Sequence, residues 1–217
     1  MKKPSPNPEV VNALPDESLV PALEALSECD PDFARAYRLC GVPPVRSQLG
    51  GFEGLVNMII SQQISIHAAK SIRDRFRNAV PDLSAERVLD LSDEDLKAIG
   101  LSRPKQAYIR SLAETVQGGG LDFSAFDGME DEAIVKALTA VKGIGRWTAE
   151  IYLLFVLKRP DVFPAADLAL QASFARLKGL EERPNDKEIR GLVELWRPWR
   201  SAGARFLWHH YRHDAVA

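Results

Sequence analysis

Helix punctuation recurs along this chain, and strand punctuation is almost absent. Asp30-Pro31 reads as an N-cap followed by a first helical residue, and Gly41 as the stop for DFARAYRLC. GFEGLVNMIISQQ and SIHAAKSIRDRFRNAV carry apolar residues at helical spacing, broken at Gln62-Gln63, and Pro81 closes the second. Ser92 with Asp95 three residues on is a capping-box start, and Gly100 ends that short helix. RPKQAYIRSLAETVQ has proline in its first turn and stops at the glycines 118–120, while EDEAIVKALTAV opens with acids that suit the helix dipole. GRWTAEIYLLFVLK runs to Pro160, and ADLALQASFARLKG, NDKEIRGLVELW and PWRSAGARFLWHHYRH follow. With no convincing period-2 run, the expected fold is all-α, about ten helices on short connectors.

Composition narrows the class further. An apolar share of 46% against 27% charged excludes a disordered chain, and 217 residues allow one domain or two lobes sharing a cleft. Net charge is -2, so a polyanion would have to be met by a local patch. Cys29 and Cys40 have no second pair, which excludes a four-thiolate metal site within the chain and points to a reducing compartment. IYLLFVL is too short to span a membrane, and the Pro-rich start lacks a signal-peptide core. Residues 1–15 read as a flexible leader on an intracellular protein, and 16–217 as the folded core.

The most specific stretch is VKGIGRWTAEIYL, 141–153. Glycine reaches backbone angles that a Cβ forbids, so GIG makes a tight turn, and the apolar run after it begins a helix. A helix start presents outward N–H groups that suit an anion, and Lys142 and Arg146 have the right sign. From the glycines alone, a phosphate grip and a plain inter-helix turn remain equally open.

LTAVKGIGRWTA, 138–149, resembles the helix-hairpin-helix of DNA repair glycosylases, with seven or so positions agreeing in order. That resemblance implies backbone N–H groups near Gly143, Gly145 and Thr148 on a DNA phosphate. It also implies carbonyls of Thr139, Val141 and Ile144 around a structural Na+ or K+. Downstream, DVFPAADLAL places Asp167 at a helix start among small and apolar neighbours, where a lone acid is ordinarily a cap. The order Gly143, Gly145, Pro164, Asp167 is similar to the pattern that names the glycosylase superfamily. With RW after the hairpin and ELWRPWRSAGARFLW, the region from about Gly51 to Tyr211 resembles its 3-methyladenine DNA glycosylase II (AlkA) branch.

The resemblance implies two helical lobes with an active-site cleft between them, and a hydrolase that releases alkylated bases from double-stranded DNA. Asp167 would be the catalytic carboxylate, with no catalytic cofactor. Relatives that also cut the strand carry lysine where this chain has Trp147, so a monofunctional enzyme is expected. Trp147 and Trp208 match aromatic positions of the base pocket; Tyr152, Phe33 and Tyr37 are further candidates, while Trp196 and Trp199 read as core. The branch often has tyrosine where Ile151 stands here, with Tyr152 next door, which bears on pocket shape.

SQQIS matches the loop that supplies a wedge, with Gln63 as the inserted side chain and Gln62 its neighbour; Arg103 and Lys105 match a phosphate-side loop. His209, His210 and His213 read as a solvated helix end. About fifty residues precede Gly51, too few and too helical for the β-rich domain common in the branch, so a compact monomeric core is expected. The rival readings are a non-catalytic DNA-binding module and a glycosylase for another damaged base.

Overall fold

The computed structural model describes residues 14–46 and 48–213. In chain order its helices are α1 (Val20–Cys29), α2 (Pro31–Cys40), α3 (Gly51–Ser61), α4 (Ile66–Ala79), α5 (Ala85–Leu89) and α6 (Asp93–Ile99). Then come α7 (Arg103–Gln117), α8 (Asp131–Thr139), α9 (Arg146–Phe155), α10 (Leu168–Lys178), α11 (Asp186–Leu192) and α12 (Arg200–His213). No strand occurs among the described residues, so the all-α expectation holds. The helices number twelve rather than about ten, α1 and α5 being the additions. The expected leader lies outside the described residues except for Leu14 and Pro15. Those two pair with 44 and 45, through a bridge from Pro15 to Pro44 and the Val45 amide donating to the Leu14 carbonyl at 2.8 Å.

The described residues form two compact units, one from those before 48 and after 157, the other from 48–157. In the first, α10 packs on α12, and α2 packs on α1, α10 and α12. The seam is aromatic: Phe33 lies edge-on to Trp196 at 5.5 Å and tilted on Phe206 at 4.5 Å, with Phe174 also against Trp196 at 5.5 Å. Trp196 is fully buried, as expected, but Trp199 is 38% exposed and is not core. The cause is local geometry: helix α11 stops at Leu192, and a single 3-10 turn at Glu194–Trp196 points only the first tryptophan inward.

Asp30 ties the unit together. Its carboxylate caps α2 by accepting the Asp32 and Phe33 amides at 3.1 and 3.2 Å. It also accepts the Lys178 ammonium at 2.6 Å and the Trp196 indole N–H at 2.8 Å, all while buried. Removing one member of such a buried pair strands the others. Asp30→Ala is therefore expected to cost about 3–5 kcal/mol in urea unfolding, and Asp30→Asn, which keeps the cap, clearly less.

His213 is exposed as expected of a solvated end, but His209 and His210 are not. His210 is buried, its Nδ1 2.9 Å from the Ser173 hydroxyl and its ring stacked on Phe206. His209 reaches the Cys40 carbonyl at 2.8 Å. Burial pushes the His209 imidazole below its ordinary 6.5, with His213 and Arg212 adding to that and the Cys40 bond opposing it. A depressed histidine favours the neutral form, so its contribution is complete above pH 6.5 and lost as pH falls through the folded value. The melting temperature should drop as the pH is lowered from neutral through 6.5, and His209→Gln should flatten that drop.

In the second unit α7 packs on α3, α5 and α6, and α8 on α9. Every residue of α9 from Thr148 to Phe155 is buried, Glu150 included. The helix ends at Phe155 rather than at Lys158: the Leu157 amide turns back to the Tyr152 carbonyl at 3.2 Å and Lys158 takes φ 53°.

Candidate active site

The hairpin is built from a glycine at positive φ and a buried isoleucine. After α8, the Val141 carbonyl accepts the Ile144 amide at 3.1 Å, and both apolar side chains are buried. Gly143 has φ 89°, and a Cβ there would sit 2.2 Å from Cγ of Tyr108. Tyr108 escaped the sequence reading, since nothing in a lone tyrosine of α7 announces the hairpin as its partner. Gly145 is the N-cap of α9 with no side chain capping that end, and a Cβ on it would meet nothing within 4 Å. The first turn of α9 thus offers amide donors at an exposed end.

The basic residues differ in how they are engaged. Lys142 and Arg103 are exposed. Arg146 is held by Glu132 and, at 3.1 Å, by the buried Glu150; the Glu132 bond above all raises its guanidinium further above its ordinary value. A cation already paired with two carboxylates offers a phosphate less than an exposed one does. Neither acid was singled out from the sequence, although Glu150 stands four residues after Arg146, a helical pairing distance. Lys105 donates to the Ile60 carbonyl at 2.7 Å, and burial pulls its ammonium below the usual lysine range.

Gln62, Gln63, Lys105, Tyr108, Gly143 and Gly145 line one cavity of about 550 Å³. The expected wedge loop, phosphate-side loop and hairpin thus meet around a single space. Gln62 spends its amide donor on the Gly143 carbonyl at 3.0 Å, while Gln63 is exposed at φ 57°. A non-glycine residue at positive φ is uncommon and marks an imposed conformation.

The aromatic candidates divide by burial. Trp147 is 42% exposed and Trp208 half-buried. Tyr37 is half-buried against Phe206. Phe33 is fully buried in the aromatic seam. Tyr152 is also buried, its hydroxyl accepting the Gly51 amide at 2.9 Å and its ring against Phe126. Thr139 turns its hydroxyl back to the Val135 carbonyl at 2.7 Å, and the Val141 carbonyl accepts the Ile144 amide at 3.1 Å.

Asp167 is the half-buried N-cap of α10. Its Oδ1 accepts the Ala169 and Leu170 amides at 2.9 and 3.0 Å, which fixes the carboxyl group's orientation. The turn before it is braced by the Asp167 amide to Pro164 at 2.9 Å and by the buried Gln171 amide to the Ala165 carbonyl at 2.7 Å. Ser201, on α12, accepts the Val162 amide at 2.9 Å and donates to the Arg159 carbonyl at 2.6 Å, pinning the segment that leads into the turn. Gln171 and Ser201 carry no signal in the sequence, because each acts on backbone. Among the described residues no cluster of three His, Cys, Asp or Glu could hold a metal ion, and no helix is long and apolar enough to cross a membrane.

Residues 56–198 match the family model described as HhH-GPD superfamily base excision DNA repair protein. The chain is 33% identical over 198 residues to DNA-3-methyladenine glycosylase 1 of Schizosaccharomyces pombe, covering 88% of this chain and 87% of that protein. Its structure is similar to that of a Schizosaccharomyces pombe 3-methyladenine DNA glycosylase in complex with abasic DNA, with TM-score 0.79, 30% identity, and 91% and 98% of the two chains covered. It is also similar to a Bacillus halodurans DNA-3-methyladenine glycosidase, with TM-score 0.81, 32% identity, and 93% and 92% covered.

Proposed function

This chain belongs to the HhH-GPD superfamily of base excision DNA repair proteins, and from that premise we propose that it is a DNA glycosylase for alkylated bases of the 3-methyladenine and 7-methylguanine type. The observation that carries this reading is that the matched stretch, 56–198, contains both the glycine hairpin and the oriented Asp167. The likeness to a 3-methyladenine glycosylase over 88% of this chain supports the choice of substrate class.

The chemistry follows from charge. An N-alkylated purine is cationic and leaves readily, and breaking its bond to the sugar leaves cationic character on the deoxyribose, as in glycoside hydrolysis. The Asp167 carboxylate stabilises that charge and orients the attacking water, and the two amides on its Oδ1 hold it in place. A base removed from the stack needs flat electron-rich walls, and each cation–π contact with Trp147 or Trp208 is worth roughly 0.5–2 kcal/mol. The exposed start of α9, with Lys142, Arg103 and Lys105, grips phosphates without reading sequence. Gln63 fills the gap left in the stack. The carbonyls of Thr139, Val141 and Ile144, a donor set of main-chain oxygens only, would hold a hard monovalent cation, which would stiffen the turn.

Tryptophan at 147 has no amine to form a Schiff base with the sugar, so the enzyme is monofunctional and leaves an abasic site. The test is incubation of the purified chain with randomly methylated duplex DNA and chromatography of the released bases, with borohydride added in parallel. Free methylated purines and no protein–DNA adduct are expected. Binding without release would make the chain a recognition module instead, and a trapped adduct would make it a lyase.

A further inference from the structure

The two adjacent glutamines of the loop after α3 do different jobs. Gln62 is half-buried and its side-chain amide donates to the main-chain carbonyl of Gly143, 81 residues away, at 3.0 Å. Gln63 projects outward from a left-handed backbone at φ 57°. A bulky residue rarely adopts that conformation unless its surroundings impose it. Here the surroundings are tethers on both sides. The Ile60 carbonyl, one of the last of α3, receives the Lys105 ammonium at 2.7 Å. The Ser61 hydroxyl donates to the Asn57 carbonyl at 2.7 Å and accepts from Arg73 at 2.9 Å. Beyond the tip, Ser65 caps α4 through the Ala68 amide at 3.2 Å.

Only one of these tethers joins the loop to the glycine hairpin, and its acceptor belongs to the residue whose φ of 89° defines the turn. We propose that Gln62 is a positioning residue: its amide locks the loop that presents Gln63 to the hairpin that grips the strand, so that the wedge stands ready before DNA arrives. This rests on the glycosylase reading above and assigns to one residue the coupling between strand grip and base eversion. Without the tether, Gln63 would have to be ordered during the encounter, at a cost charged to stack opening. A base that is already unstacked needs no wedge, so its release would not depend on Gln62.

The experiment compares wild type with Gln62→Glu and Gln62→Ala. Glutamate keeps the shape of the side chain but cannot donate to a carbonyl. A duplex with a stable abasic analogue opposite 2-aminopurine reports insertion at the orphaned position by fluorescence. Methylated duplex DNA and the same DNA made single-stranded report release with and without a stack to open. Both variants should melt as wild type does, lose most of the fluorescence change, and release bases from duplex about tenfold more slowly, in line with one lost hydrogen bond, while single-strand release is unchanged. Equal loss on both substrates, or no loss on either, overturns the inference while leaving the glycosylase reading intact. A wild-type chain that neither binds the abasic duplex nor releases any base overturns both.

Discussion

Asp167→Asn is expected to lower base release from methylated DNA by about a thousandfold or more while leaving the fold and the affinity for abasic duplex nearly unchanged. The substitution isolates charge. Asparagine is as good an N-cap as aspartate, and its carbonyl oxygen can accept the Ala169 and Leu170 amides that Oδ1 accepts now. The brace from Gln171 to the Ala165 carbonyl does not involve the changed group. What disappears is the negative charge that meets the developing sugar cation. Asp167→Ala would confuse the matter, because losing the cap costs about 1 kcal/mol of stability in its own right. Single-turnover release and a melting curve on the same preparation separate the two effects. Release within about threefold of wild type would remove Asp167 from the chemistry.

Gly143→Ala should be the most damaging single change in the hairpin. The added Cβ would lie 2.2 Å from the Tyr108 ring in a backbone at φ 89°, so both the neighbour and the conformation resist it. A left-handed alanine costs about 1–2 kcal/mol and forced overpacking about 1–3 more, giving a loss of about 2–5 kcal/mol in urea unfolding. The turn would relieve the clash by opening, and DNA binding should fall with it. Gly145→Ala is the informative partner. Its Cβ would meet nothing, and its φ of -88° suits any residue, so the fold has no need of glycine there. Normal stability with weakened binding to abasic duplex is expected, because a methyl group at the head of α9 holds a phosphate away from the amides. Normal binding in Gly145→Ala would argue against the grip.

Much of this architecture is written in local chemistry. Asp30, the Ser92–Asp95 capping box and Gly100 mark helix ends as expected, because a cap acts within one turn of its own position. The glycine hairpin and the acid at 167 are legible for the same reason: each is a short run whose conformation depends on its immediate neighbours. Even so, the sequence reading ran past the ends of α9 and α11, where the backbone turns back on Tyr152 after Phe155 and gives way to a 3-10 turn after Leu192.

Partners distant in the chain carry no such mark. An apolar stripe says that a helix face is covered, not which ring covers it. Phe33 and Tyr152 therefore read as pocket candidates, and only the fold shows them buried against Trp196, Phe206 and Phe126. The pairing of Arg146 with Glu132 and of Gln62 with the Gly143 carbonyl likewise arises only when helices far apart in sequence are brought together. The order of residues alone determined that this chain is helical, where most of its helices lie, and which turn and acid to suspect. Tertiary structure decided which aromatics are core, which cation is already paired and which glutamine is an anchor, because packing and hydrogen bonding at short range in space ignore separation along the chain.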